Sequence, residues 1–182
     1  MIYGERIRLR AIERDDLPRY VEWFNDPEVI EGLLLFLPMS LNEETQWFEK
    51  LSERPAEERP LAIDVLDDQD WVHIGSCGLH NIEWTHRVAE AGIAIGNKSF
   101  WNQGHGTAVM RLLLKHGFES LNLHRIFLRV YETNPRAIRT YEKVGFVHEG
   151  RMRQALYRQG QYHDILLMSV LRPEWVSNNR ES

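Results

Sequence analysis

The chain has 182 residues, of which 43% are apolar and 27% are charged, as in soluble proteins built around one hydrophobic core. The formal net charge of -5 argues against nucleic acid as the main partner, because phosphates require clustered Lys and Arg. No apolar run approaches the roughly 20 residues of a membrane span. The first residues do not resemble a signal peptide, and the single cysteine, Cys77, excludes an internal disulfide. We therefore expect a cytoplasmic protein.

The first sixty residues predict one strand and two helices. Residues 7–10 alternate between apolar and basic side chains, as a strand does. A helical pattern follows Asp16 and stops at Pro27, and a second helix is predicted to follow Asn42. Residues 52–60 have the composition of an exposed loop.

The rest of the chain alternates strands with two further helices. Strands are predicted at 61–66, 72–79, 88–95, 126–131, 146–150 and 165–171, and helices at 107–120 and from Pro135 to Gly145. No linker or repeat divides these elements. We therefore expect a single domain over residues 1–182, of the mixed α/β (α+β) class. Its sheet should be mostly antiparallel and flanked by helices on both faces.

Two glycines stand between a predicted strand and a predicted helix, in the segment Trp101-Asn102-Gln103-Gly104-His105-Gly106-Thr107. Glycines at this spacing let backbone amides turn toward one point, and the following helix directs its positive dipole end there. Such a turn can hold a pyrophosphate. A dinucleotide fingerprint would need a third glycine where Val109 stands, and a P-loop would need Gly-Lys-Ser/Thr. The alternative interpretation is a tight structural turn.

A second pattern begins at Asn134 and comprises Asn134, Ala137, Tyr141, Gly145 and Phe146. Taken by itself, it fits a helix cap at Asn134 and a core aromatic at Tyr141. The two patterns together read W/R/Q-x-x-G-x-G/A, then a strand, then N-x-x-A-x-x-x-Y-x-x-x-G-F. This order resembles the GNAT superfamily of N-acetyltransferases.

The resemblance covers nearly the whole chain and includes the RimJ/RimL-like branch, with spermidine acetyltransferases similar as well. The matching segments are Ile7-Arg8-Leu9-Arg10, Asn25-Asp26-Pro27-Glu28-Val29, Ala89-Glu90-Ala91-Gly92 and Gly160-Gln161-Tyr162-His163-Asp164. It implies transfer of an acetyl group from acetyl-CoA to a primary amine. A protein N-terminus, a polyamine and an aminoglycoside all remain open as acceptors.

The family fold implies that strands 88–95 and 126–131 splay apart and admit acetyl-CoA. The pantetheine arm would pair with the backbone of Ala94, Ile95 and Gly96. The pyrophosphate would bind amides of Gln103, Gly104, His105, Gly106 and Thr107, and the cofactor arm would contact Asn134, Ala137 and Tyr141. Trp101 departs from many members, which carry Arg or Gln there, so that side-chain help to the phosphate is lost.

Acetyl transfer needs a neutral amine and a proton for the departing thiolate. An alkyl amine with a pKa near ~10.4 is neutral about once in 2,500 molecules at pH 7, so a base should help. The resemblance places Glu90 beside the thioester as a candidate base, and an exposed strand carboxylate is the alternative. The family uses the tyrosine of the second motif as the acid, a role carried over to Tyr141.

The amine acceptor is expected to enter past residues 31–39 and the hairpin near Tyr162. The apolar run 33–37 is either a buried segment or a wall of that pocket. Apolar walls with a few carboxylates would favour a cationic amine, and the candidate carboxylates are Glu31, Glu83, Glu90 and Asp164. The eight histidines show no zinc-ligand spacing, so no metal is expected.

Two expectations concern assembly and activity. The C-terminal strands are predicted at a sheet edge, and relatives often form dimers, so we expect a homodimer. The alternative to an enzyme is a non-catalytic GNAT-fold module that binds acyl-CoA or a partner protein. An intact Tyr141 motif favours the enzyme.

Overall fold

The computed structural model describes residues 1–33 and 35–180, with the side chains of 178–180 not included. Its strands are β1 (Ile2–Tyr3), β2 (Ile7–Ala11), β3 (Leu61–Asp67), β4 (Asp70–Glu83), β5 (Val88–Ile95), β6 (Arg125–Tyr131), β7 (Val147–Arg158) and β8 (Gln161–Leu171). Its α-helices are α1 (Leu17–Phe24), α2 (Pro27–Ile30), α3 (Leu41–Glu49), α4 (His105–Lys115), α5 (Pro135–Val144) and α6 (Arg172–Arg180).

Within these residues the strands form one open sheet in the order β1-β2-β3-β4-β5-β6-β8-β7. Every neighbouring pair is antiparallel except β5 and β6, which run parallel. The predicted class, a mostly antiparallel mixed sheet with flanking helices, is confirmed.

Helices cover both faces of the sheet. Ala62 and Ile63 are adjacent on β3 and fully buried, yet they belong to separate core clusters. Since successive strand side chains point to opposite faces, the two clusters lie on opposite sides. The larger one packs α4 and α5 onto the sheet, and the smaller one packs α1 and α3.

Short polar and glycine signals set the helix boundaries. The Asn134 side chain accepts a hydrogen bond from the Ala137 amide at 3.1 Å, and Gly145 ends α5 in the left-handed region at φ 100°. The second helix begins earlier than predicted. Ser40 and Glu43 form a capping box that starts α3 at Leu41, so Asn42 lies inside the helix.

The largest differences from the sequence prediction lie at the ends of the sheet. The strand predicted at 146–150 extends to Arg158, because β7 pairs with β8 along most of its length despite two irregularities in register. The two-residue β1 and the C-terminal α6 were not predicted. Both gain their order from contacts with β2 and β8 rather than from local pattern.

Candidate active site

A cleft opens where β5 and β6 diverge. The two strands pair only at Val88–Arg125, Ala89–Ile126 and Glu90–Phe127. Beyond this point residues 91–95 pair with β4 alone, and residues 128–131 pair with β8 alone. Backbone groups on the facing edges are left for an incoming ligand, as buried amides and carbonyls require partners. The cleft has a volume of about 960 Å³.

The glycine turn closes one end of this cleft. Gly104 has φ 85° and caps α4, a left-handed conformation that only glycine adopts at little cost. The first intrahelical hydrogen bond of α4 runs from the Ala108 amide to the Gly104 carbonyl. The amides of His105, Gly106 and Thr107 therefore have no acceptor within the helix. These three residues line the cleft. The turn can therefore offer several N–H donors and a helix dipole to an anion.

Trp101 and Arg136 form a stacked pair beside the turn. The Trp101 indole N–H donates to the Ile95 carbonyl at 2.8 Å, which ties the turn to the end of β5. The Arg136 guanidinium lies 3.8 Å from the centroid of the Trp101 ring. Although position 101 carries no charge, a cation from α5 thus lies over it. The sequence pattern did not indicate this compensation.

The predicted backbone contacts divide into two groups. Ala94 and Ile95 line the cleft, whereas Gly96 does not. The Gly96 amide donates to the Ile74 carbonyl at 2.9 Å, and the Trp23 ring fills the space where a Cβ would stand. Gln103 is not among the residues that line the cleft, and its side chain donates to the Ser99 carbonyl. The Gly96 amide is therefore unavailable to a ligand, whereas the role of the Gln103 amide stays a prediction.

Asn134 and Ala137 line the cleft at the start of α5. The Asn134 amide oxygen is occupied by the cap, and its Nδ2 atom would lie 2.6 Å from a Cβ at Gly32. Gly32 therefore allows the segment after α2 (residues 31–33 and 35–39, called the acceptor-side loop after its predicted role) to approach α5 closely. Asn134 connects this loop to the helix that carries Tyr141.

Tyr141 lies on α5 with one edge in the cleft and only 8% of its surface exposed. Its ring packs against Phe146 with centroids 5.8 Å apart. Burial raises the pKa of the phenol to about 12, so the hydroxyl keeps its proton at neutral pH. The group can donate a proton to a developing thiolate in the cleft.

Glu90 lines the cleft on β5, and its carboxylate accepts three hydrogen bonds. It accepts hydrogen bonds from Arg129 at 2.7 and 3.1 Å, and from Asn81 at 3.2 Å. Contact with this carboxylate raises the pKa of Arg129. These three donors occupy most of the lone pairs through which the carboxylate could receive an amine proton. The geometry argues against the general-base role predicted for Glu90.

His80 is a cleft residue that the sequence analysis missed. It lies on β4 directly opposite Glu90, beside a register irregularity that runs from His80 to Glu83. Bulges of this kind redirect side chains and are common next to active sites. The His80 Nε2 atom lies 3.6 Å from Glu90 Oε2. Only the pairing of β4 with β5 brings the two side chains together.

Arg158 holds the acceptor-side loop in place. Its guanidinium donates to the carbonyls of Ile30, Glu31, Leu33 and Leu35 at 2.5 to 3.1 Å, and it lies 5.3 Å from the Phe36 ring centroid. Within the apolar run 33–37, Leu33 lines the cleft, Phe36 and Leu37 are exposed, and Leu34 lies outside the described residues. The run is therefore neither uniformly buried nor a continuous wall.

Only two of the four carboxylates predicted at the acceptor pocket line the cleft. Glu31 and Glu90 line the cleft, whereas Glu83 and Asp164 do not. Glu83 faces His86, and Asp164 pairs with Arg151 at 2.7 Å and orders the β7–β8 hairpin. Glu31 is the one cleft carboxylate without a hydrogen bond or ion pair among the described residues.

Cys77 is not a candidate catalytic residue of the cleft. Cys77 is buried in the larger core cluster, and burial raises the pKa of its thiol to about 12. Its side chain contributes to core packing and is not a nucleophile.

In the part of the chain that the structure describes, no group of His, Cys, Asp or Glu could hold a metal ion. No described helix is both long and apolar enough to cross a membrane.

A splayed sheet, a glycine turn at a helix start and a cleft tyrosine together define an acyl-CoA-type transferase site. Residues 6–147 match the family described as the acetyltransferase (GNAT) domain. The chain belongs to this family.

Two curated relatives are similar over almost their whole length. The putative ribosomal N-acetyltransferase YdaF of Bacillus subtilis is 37% identical, with 94% of each chain covered. The spermidine N(1)-acetyltransferase of Vibrio cholerae is 32% identical, with 97% of this chain and 99% of that protein covered. A crystal structure of spermidine N-acetyltransferase from Vibrio cholerae with CoA and spermine has a TM-score of 0.85 and 29% identity, covering 95% of this chain and 99% of that one.

Proposed function

We propose that this protein transfers the acetyl group of acetyl-CoA to a primary amine by direct attack in a ternary complex. The observation that carries the proposal is the divergence of β5 from β6 beside the Gly104 turn. One edge of the cleft would offer the β5 backbone near Ala94 to a pantetheine arm, whereas the Ile95 carbonyl already accepts from Trp101. The other end offers helix amides to a pyrophosphate at His105, Gly106 and Thr107. The family and the CoA complex of a structural relative support this assignment.

The chemical role of the protein is to hold both substrates and to move protons. The amine nitrogen attacks the thioester carbonyl carbon, and the sulfur leaves as a thiolate. Tyr141 supplies the proton to the sulfur, a role that its protonated state and cleft position support. Asn134 and Ala137 would lie along the cofactor arm.

The acceptor is a small amine that would reach the cleft beside Glu31, because Arg158 joins the β7–β8 hairpin directly to the acceptor-side loop. Glu31 supports a cationic acceptor, because its carboxylate forms no hydrogen bond or close ion pair within the described part of the cleft and acts on Arg136 only through its charge. Spermidine acetyltransferases and a putative ribosomal acetyltransferase are both among the relatives. We propose a small-molecule amine, with a protein N-terminus as the alternative within the RimJ/RimL-like branch.

Assembly and location are also proposals. We propose one domain over residues 1–182, acting as a homodimer in the cytoplasm. β7 is the edge strand of the sheet and is exposed at almost every residue, with Val147, Met152 and Tyr157 among its large apolar side chains. Such an edge is commonly covered by a partner. Light scattering that gives a monomer mass at micromolar concentration would contradict the dimer.

A thiol-release assay tests the function directly. Purified protein would be incubated with acetyl-CoA and, in separate reactions, spermidine, an aminoglycoside and an Ala-starting peptide. We expect free CoA thiol to appear with at least one amine, and mass spectrometry to show the N-acetylated product. Reactions without amine or without protein are the controls. Acetyl-CoA binding without thiol release on any amine would favour the non-catalytic module instead.

A further inference from the structure

Glu90 is the centre of a cluster built from three strands. Arg129 on β6 occupies both of its oxygens, at 2.7 and 3.1 Å, and Asn81 on β4 adds a third donor at 3.2 Å. Three donors occupy most of the acceptor positions of this carboxylate, so few lone pairs are left for an ammonium proton. The proton that the attacking amine releases must therefore go to another group.

His80 is the side chain next to this carboxylate. Its Nε2 atom lies 3.6 Å from Glu90 Oε2, within ion-pair range, and 42% of the side chain is exposed. Its ring extends over β5 at Gly92, where a Cβ would lie 3.3 Å from His80 Cε1 and 3.9 Å from Nδ1. The absence of a side chain at Gly92 leaves room for the ring. A neutral imidazole with its proton on Nε2, facing the carboxylate, has a free lone pair on Nδ1.

We propose that His80 accepts the proton of the attacking amine and that Glu90, fixed by Arg129, positions its ring. The proposal rests on the acetyl-transfer function above. The amine nitrogen bonds to the thioester carbonyl carbon as the C–S bond breaks. The proton shed by nitrogen passes to His80 Nδ1, directly or through one water, and the phenolic proton of Tyr141 passes to sulfur. Solvent then removes the first proton and restores the second.

Charged groups from three elements surround His80. Glu90 faces it from β5, Arg129 lies behind Glu90 on β6, and Arg54 and Glu58 line the same cleft from the segment before β3. Glu90 is held by Arg129, and Glu58 accepts from the Ile82 amide at 2.8 Å. Glu90 is therefore the carboxylate within ion-pair range of the His80 ring, at 3.6 Å. Imidazole is also the side chain suited to proton transfer near neutral pH.

The first test measures kcat/KM against pH for the wild type, His80→Gln and His86→Gln, using acetyl-CoA and the acceptor that the wild type acetylates. With spermidine we expect His80→Gln to lower kcat/KM about 10²-fold and to remove the acid-side limb of the profile. Affinity for acetyl-CoA should not change. His86, on the exposed turn after β4, is the matched control and should behave as the wild type. An Ala-starting peptide should lose less, because its amine has a pKa near ~7.7.

A second variant separates proton transfer from packing. In His80→Ala, added imidazole should restore part of the lost activity, because the side chain is half exposed and the free base can enter its space. Wild-type kcat/KM in His80→Gln would overturn the proposal. A loss that imidazole does not rescue, with the acid limb retained, would overturn it as well. A wild-type protein that releases no thiol with any amine would instead overturn the proposed function, and this inference with it.

Discussion

The Arg136 guanidinium lies 3.8 Å from the centroid of the Trp101 ring, at the edge of the glycine turn. Since Trp101 itself has no charge to offer a phosphate, Arg136 is a candidate replacement for the basic side chain that this position lacks. We expect Arg136→Gln to weaken acetyl-CoA binding about fivefold and to reduce its dependence on salt. Calorimetry at two ionic strengths measures both effects.

The controls for Arg136 are one variant that keeps the charge and one that removes a distant charge. Arg136→Lys should retain most of the affinity, and Arg19→Gln, on the exposed face of α1, should retain all of it. Equal losses at Arg136 and Arg19 would show a general effect of net charge rather than a phosphate contact.

The Gly106 position tests the anion-binding turn. A Cβ there would meet Ile95 and Thr140 at 3.6 Å, which is ordinary van der Waals contact. Gly106→Ala should therefore fold normally. The two further methyl groups of Gly106→Val must enter the space over the turn or displace these neighbours, and we expect at least a tenfold loss of acetyl-CoA affinity. Unchanged affinity by calorimetry in the Val variant would remove the turn from cofactor binding.

Tyr141 tests the proton donor. Tyr141→Phe preserves the packing on Phe146 and removes only the hydroxyl, so kcat should fall about 10²-fold while acetyl-CoA affinity is retained. Burial raises the pKa of the phenol to about 12, so the donor form persists throughout the accessible pH range. The wild-type profile should thus show no alkaline loss from Tyr141 below about pH 10. Wild-type turnover in the Phe variant would assign Tyr141 to packing.

Arg158 tests the acceptor-side loop. Its four carbonyl contacts require a planar guanidinium, and a single ammonium cannot replace them. We expect Arg158→Lys to raise KM for the amine several-fold with acetyl-CoA affinity unchanged, and to speed amide exchange in residues 30–33. Arg153→Gln, exposed on the same strand, is the control. Unchanged KM together with unchanged exchange would show that the loop is held by other contacts.

Glu44 links stability to pH. It is 3% exposed on α3, and its carboxylate has no hydrogen-bond partner among the described residues. Burial raises the pKa of this carboxyl from 4.5 to about 7. Because the folded-state pKa is the higher one, this group lowers stability progressively as pH rises from about 4.5 to 7, and fully above that. We expect Glu44→Gln to gain about 2 kcal/mol at pH 8 and almost nothing at pH 4.5.

Urea denaturation at the two pH values measures this gain. Glu49→Gln on the same helix is the control, since Glu49 is 60% exposed in its ion pair with Arg14 and should change stability little. An equal gain for Glu44→Gln at both pH values would assign the effect to packing rather than to ionisation.

The parts of the fold predicted from sequence are those with local signals. Asn134, Pro135 and Gly145 define α5 because a cap, a fixed φ and a left-handed residue act within a few positions of the chain. The bounds of β5 at Val88 and Ile95 were also predicted correctly, because turn signals and apolar character coincide there. The β7 extension was not predicted, because its exposed residues have no apolar alternation and are ordered by pairing with β8.

The candidate site likewise contains some features that local sequence signals predicted and others that depend on strand pairing. The glycine turn and the Tyr141 motif are contiguous segments, so the sequence alone determined where a cofactor and an acid would be sought. The hydrogen-bond partners of Glu90 were decided by tertiary structure. Arg129 is 39 positions away in the chain and reaches the carboxylate only where β5 and β6 begin to diverge. His80 likewise meets Glu90 through strand register. The sequence determines which side chains are present. The hydrogen-bond partners of Glu90 and His80 come from other strands, because only folding brings those strands together.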